Sequence, residues 1–248
     1  MWIRIVTLAD GLLTAAARMF LMLMLAYGIY ALMDAEHVSR EARLPAALLE
    51  VKPEEEPEET AEGTKVLSDE LLAVNPDIRG WITVPDTHID YPVLQGETDF
   101  DYLNRDAYGS YSAAGSIYMD SGNAPDFSDG YTLLYGHHMR NGGMFGDVEN
   151  FLLDDYFASH PEGVLFTRER VEQICFFACL RADAFDEKLY SPELSRGREI
   201  GEWLDYIKRL SLQYRECGLD GDERIIGLST CADSVTNGRI LLFGYFKE

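Results

Sequence analysis

From Trp81 onward the sequence is broken into short β-like runs separated by turn residues, and this alternation limits the fold more than any other feature. The runs Trp81–Val84, His88–Leu94, Ser116–Met119 and Tyr131–Tyr135 carry β-branched and aromatic residues. Val164–Thr167, Gln173–Arg181, Ile225–Thr230 and Arg239–Phe246 continue the series. Gly-, Asp- and Asn-rich turns separate them. Seven or eight strands at this spacing predict a mainly β fold, a barrel or a sandwich. Helices are expected at Gly143–Leu153 and Arg198–Glu216. A short one should begin after Ser68, an N-cap type residue, and close at Asn75-Pro76.

Two segments precede this domain. Residues Gly11–Met33 are apolar except for Arg18 and would rise ~34 Å as a helix, enough for a hydrocarbon core. Arg18 lies about two turns inside, where its long stem can reach the interface. A cleaved signal peptide fits less well: Ala15–Ala17 come before the strongest apolar run, and Met33 spoils a small-x-small site ending at Ala35. Arg4 and Arg18 on the N-terminal side predict a cytoplasmic N-terminus and an external C-terminal domain. Residues Glu50–Thr64 are acidic and proline-bearing and read as a tether. The expected organisation is a cytoplasmic N-terminus (1–10), an anchor (11–33), a juxtamembrane segment with acidic linker (34–65) and a catalytic domain (66–248). A formal net charge of -22 repels phosphate backbones and argues against nucleic acid as a partner.

The four cysteines, at 175, 179, 217 and 231, form no CxxC pair and no zinc spacing. Cys175 and Cys179 lie on one apolar run and should share a face as buried small hydrophobes. Cys217 reads as incidental. Cys231 differs, because it ends an apolar strand, and a polar loop leads to a second strand that opens at Arg239. If the two strands pair as a hairpin, Arg239 returns beside Cys231. A cation there favours thiolate and can stabilise an oxyanion. His137, after Gly136 at the end of Tyr131–Tyr135, can pass a proton to a leaving amine. Each residue alone also has a plain structural reading.

The joint pattern resembles the class B sortases, in the motifs Leu228-Ser229-Thr230-Cys231, Asn237-Gly238-Arg239 and Tyr135-Gly136-His137-His138-Met139. Asn75–Trp81, Ile89–Gln95, Tyr102-Leu103-Asn104, Gly115–Asp120 and Asp126–Asp129 extend the likeness from about Ser68 to the C-terminus. The resemblance implies a closed sortase-type β-barrel with N-terminal helices and a helix before the cysteine strand. It implies a cysteine transpeptidase acting on a C-terminal sorting signal of the Asn-Pro-x-Thr or Leu-Pro-x-Thr kind, through a thioester. The acyl group would pass to an amine of a cell-wall precursor or pilin, with no metal or cofactor. Cys231 would be the nucleophile, His137 the proton donor and Arg239 the oxyanion stabiliser. Leu103, Asn104, Tyr135, Ser229 and Thr230 match positions lining the family's groove. Asp233 could orient His137, or serve only as a turn residue. A hydrolase passing the acyl group to water and a non-catalytic surface protein are the alternatives. Adjacent His137 and His138 lack the convergence a zinc site needs.

Overall fold

The computed structural model describes residues 2–53, 66–190, 200–219, 221–232 and 237–247. The chain forms two units, Met1–Arg40 and Glu41–Glu248. The first is the bulk of helix α1 (Trp2–Glu41), which is long and apolar enough to cross a membrane. Its large apolar side chains, among them Leu12, Phe20, Leu23 and Leu32, are exposed.

Among the described residues of the second unit nine strands form one sheet: β1 (Ile78–Thr83), β2 (Asp90–Leu94), β3 (Ile117–Met119), β4 (Tyr131–Tyr135), β5 (Glu162–Thr167), β6 (Val171–Asp183), β7 (Ser211–Tyr214), β8 (Ile225–Cys231) and β9 (Gly238–Phe246). The order is β5-β1-β2-β3-β4-β8-β9-β6-β7, and β5 also pairs with β6. That extra pairing closes eight strands into a barrel, which leaves only β7 outside the ring. Closure removes the free edges of the ring strands that would otherwise invite pairing with other chains. All eight strand-like runs of the sequence are strands here. Alternate side chains fill the interior, where Ile82, Val93, Leu134, Phe176, Leu228 and Leu242 are fully buried.

Two outer faces are also covered. The short helices α2 (Ala46–Leu49) and α3 (Asp69–Val74) lay Leu48 and Leu71 over Trp81, Leu94 and Phe166. Ser68 caps α3, its Oγ accepting from the Leu71 N–H at 3.1 Å. Packed residues therefore stand on both sides of the acidic stretch: Ala42 and Leu48 are buried ahead of it, Leu67 and Leu71 behind it, and Lys52 near its start pairs with Asp90 at 2.8 Å. Most of that stretch, 54–65, lies outside the described residues. On the other side α5 (Ile200–Leu210) packs Trp203, Leu204 and Ile207 against Tyr131, Phe177 and Phe243.

Three readings of the sequence are corrected. The helix expected over Arg198–Glu216 stops at Leu210, and Ser211–Tyr214 forms β7 on β6. The helix expected over Gly143–Leu153 is a 3₁₀ helix, Gly146–Leu152, followed by α4 (Asp154–Ser159). Cys175 and Cys179 do not share a face. A bulge between Phe176 and Ala178 inserts one residue into β6 against β9 and reverses the alternation. Cys179 packs inside the barrel with Ile174 and Phe176, whereas Cys175 stands opposite Tyr245 on the outer face.

Candidate active site

The site forms where β4, β8 and β9 end together. β8 and β9 are antiparallel, with Cys231 opposite Arg239. β4 and β8 are parallel, with Tyr135 beside Ser229. Advancing each strand two residues brings His137 beside Cys231, and the Gly136 N–H bonds the Ser229 carbonyl at 3.1 Å to carry the pairing onward. A groove of about 320 Å³ results. Cys231, His137, Arg239, Leu103, Tyr135, Ser229 and Thr230 all line it. Asn104 is exposed and stands outside that lining, its carbonyl engaged by the Ser112 N–H. Asp233 lies outside the described residues.

Local packing fixes the histidine. A side chain on Gly136 would run into Ile117 and Phe145, so only glycine lets the chain turn there. The Phe145 N–H bonds the His137 carbonyl at 3.1 Å. His137 Nε2 lies 2.8 Å from the Leu103 carbonyl. A carbonyl only accepts, so Nε2 carries a proton and Nδ1 is the ring nitrogen left to exchange one. Gly115, at φ +60°, allows this contact: a Cβ there would lie 2.4 Å from the Leu103 oxygen and 3.1 Å from the imidazole. His138 turns the other way, and its Nε2 meets Glu149 at 2.9 Å.

The groove is rich in phenols that the sequence did not single out. Tyr118 and Tyr190 join Tyr135 in its wall, with Asp99, Phe100 and Ala184 at its margin. Tyr135 donates to Asp120 at 2.9 Å, and Tyr190 and Ser229 share a hydrogen bond of 3.1 Å. Burial pushes all three phenols above the ordinary tyrosine range; Asp120 adds to it at Tyr135, whereas the Ser229 hydrogen bond and Arg239 offset part of it at Tyr190. They stay protonated at neutral pH. Tyr190 reaches the groove from the connection after β6, which strand periodicity cannot place. Among the described residues Arg239 makes no ion pair, and its Nη1 touches only the Gly238 carbonyl, at 3.1 Å.

A larger cavity, about 580 Å³, lies between α3, the start of β1 and the β5–β6 turn. Its lining includes Arg79, Arg168 and Arg170 but no histidine or cysteine, so it offers no thiol–imidazole pair. Among the described residues no group of three or more His, Cys, Asp or Glu is placed to hold a metal ion.

No family model matches the chain. Sortase B of Listeria monocytogenes is 31% identical over 177 residues, covering 71% of this chain and 72% of that protein. The chain belongs to the class B sortases. Among solved structures, a class B sortase of Streptococcus pyogenes involved in pilus biogenesis is 41% identical with a TM-score of 0.68. That match covers 72% of this chain and 97% of the other. The Staphylococcus aureus sortase B–substrate complex is 30% identical with a TM-score of 0.66, covering 73% and 84%. This class B sortase is thus a cysteine transpeptidase with the barrel of its relatives.

Proposed function

We propose that this enzyme cuts a C-terminal sorting signal and joins the new carboxyl end to an amine, with Cys231 as nucleophile, His137 as proton donor and Arg239 as oxyanion stabiliser. The observation that carries the reading is the meeting of these three residues on one groove at the ends of three strands.

The Cys231 thiolate attacks the peptide carbonyl, and its electron pair forms the S–C bond. The carbonyl oxygen takes the negative charge, which the Arg239 guanidinium meets with N–H donors. As the C–N bond breaks, the departing amine takes a proton from His137. A thioester remains. A second amine attacks it, gives its proton to the imidazole and expels the thiolate. Leu103, Tyr135, Ser229 and Thr230 shape the substrate groove. The likeness to a pilus-biogenesis enzyme favours a pilin among the protein substrates.

α1 serves as a single-pass anchor, with its N-terminus in the cytoplasm and the barrel outside, next to cell-wall precursors. The test is to incubate the full chain in detergent with quenched peptides bearing Asn-Pro-x-Thr or Leu-Pro-x-Thr cores, with and without an amine. Amine-linked product that depends on Cys231 supports the reading, whereas hydrolysis unchanged by the amine favours a protease. Protease added to intact cells should remove the barrel, and protection would overturn the topology.

A further inference from the structure

Two cysteines outside the groove meet on the outer face of the barrel. β7 pairs antiparallel with β6, Tyr214 beside Ala178 and Gln213 beside Cys179. The Arg215 N–H bonds the Phe177 carbonyl at 2.7 Å and carries the pairing one residue further. Two more residues in each direction bring Cys217 level with Cys175. At Cys175 that edge of β6 is taken by Glu162 of β5, so the chain after Arg215 leaves the ladder. Cys217 packs on the outer face instead, in the cluster that holds Tyr245. Tyr245 is the cross-strand partner of Cys175 on β9. Tyr245 thus stands across from Cys175 and in the same outer cluster as Cys217. Its hydroxyl is pushed up to about 12, by burial first and then by Cys175 and Cys217 beside it.

We propose that Cys175 and Cys217 form a dithiol site that a small disulfide oxidant converts to an intramolecular disulfide, tying β6 to the segment after β7. Both cysteines are partly exposed, whereas Cys179 is buried inside the barrel. In the first step one thiol loses its proton and attacks the oxidant, whose S–S bond breaks to release one small thiol. The second protein thiol then attacks the mixed disulfide, and a second small thiol leaves. Two cysteine thiols are oxidised and one disulfide is reduced, so atoms and electrons balance. Burial pushes the Cys217 thiol up, so its attack quickens as pH rises. The resulting loop carries α5, Tyr190 and β7. The link would hold the connection that supplies one wall of the groove, whether or not the groove performs the chemistry proposed above.

The test uses the full chain in detergent with Cys231→Ala, which leaves three thiols, at 175, 179 and 217. Treatment with glutathione disulfide at mildly alkaline pH should remove two free thiols without leaving glutathione on the protein. Peptide mapping should show Cys175 joined to Cys217 and Cys179 still reduced, with reductant restoring both thiols. Adding Cys175→Ser should convert the link into a glutathione adduct on Cys217. In a sample whose circular dichroism shows a folded barrel, three unchanged thiols, a stable adduct on Cys217 with Cys175 present, or a link through Cys179 would each overturn the proposal.

Discussion

Cys231, the last residue of β8, stands directly opposite Arg239 near the start of β9, so the hairpin itself sets a guanidinium beside a thiol. Removing the guanidinium should therefore act on the chemical step. Arg239→Ala is expected to lower kcat by ~10²–10³-fold, the usual cost of an oxyanion donor. Arg239→Lys keeps the charge but not the planar fork and should restore only part of the loss. Steady-state rates with a quenched sorting-signal peptide check this, and melting curves check that both variants remain folded.

The two adjacent histidines should separate cleanly. His137→Ala removes the residue held on the Leu103 carbonyl and is expected to cost ~10²–10⁴-fold in kcat. His138→Gln disturbs only a partly exposed pair with Glu149. It should leave turnover unchanged and shift stability by no more than ~1 kcal/mol. Equal losses in the two variants would contradict the assignment.

Gly115 supports His137 from outside the lining of the groove. Its positive φ and the 2.4 Å approach of a Cβ to the Leu103 oxygen make Gly115→Ala strained in both backbone and space. The variant should lose ~1–3 kcal/mol of stability. Displacing the Leu103 carbonyl frees the imidazole, and kcat should fall by ~10²-fold with KM little changed. Denaturant titration and kinetics on one sample separate the two effects.

The buried phenols predict an alkaline limit. Tyr118, Tyr135 and Tyr190 are pushed above the ordinary tyrosine value of about 10, so the folded state favours their neutral forms. Their contribution to stability is fully present below that value. It is lost as pH rises above about 10 toward the higher folded-state values, because the unfolded chain ionises first. Urea midpoints should show no phenol-linked fall between neutral pH and about 9, then decline. Phenolate absorbance from these three should appear only with unfolding.

Much of this was legible in the sequence because strands announce themselves by composition and turn residues. Tyr131–Tyr135 is a strand with the expected bounds. Cys231 at the end of β8 and His137 just past the end of β4 needed only the topology to bring them together. The failures have local causes. Ser211–Tyr214 is short and follows α5 with no glycine or proline between them, so it read as more helix. The bulge in β6 inserts a residue that leaves no mark in the periodicity, and it sends Cys175 and Cys179 to opposite faces. Tyr190 and Cys217 sit in long connections, whose positions follow from packing on the barrel rather than from their own sequence.

The most direct measurement is intact-protein mass spectrometry of the full chain during turnover of a sorting-signal peptide. The account predicts an acyl adduct on Cys231 that accumulates without an amine, disappears with transfer when an amine is added, and never forms in Cys231→Ala. Peptide cleavage that persists in Cys231→Ala, or an adduct on another residue, would contradict it.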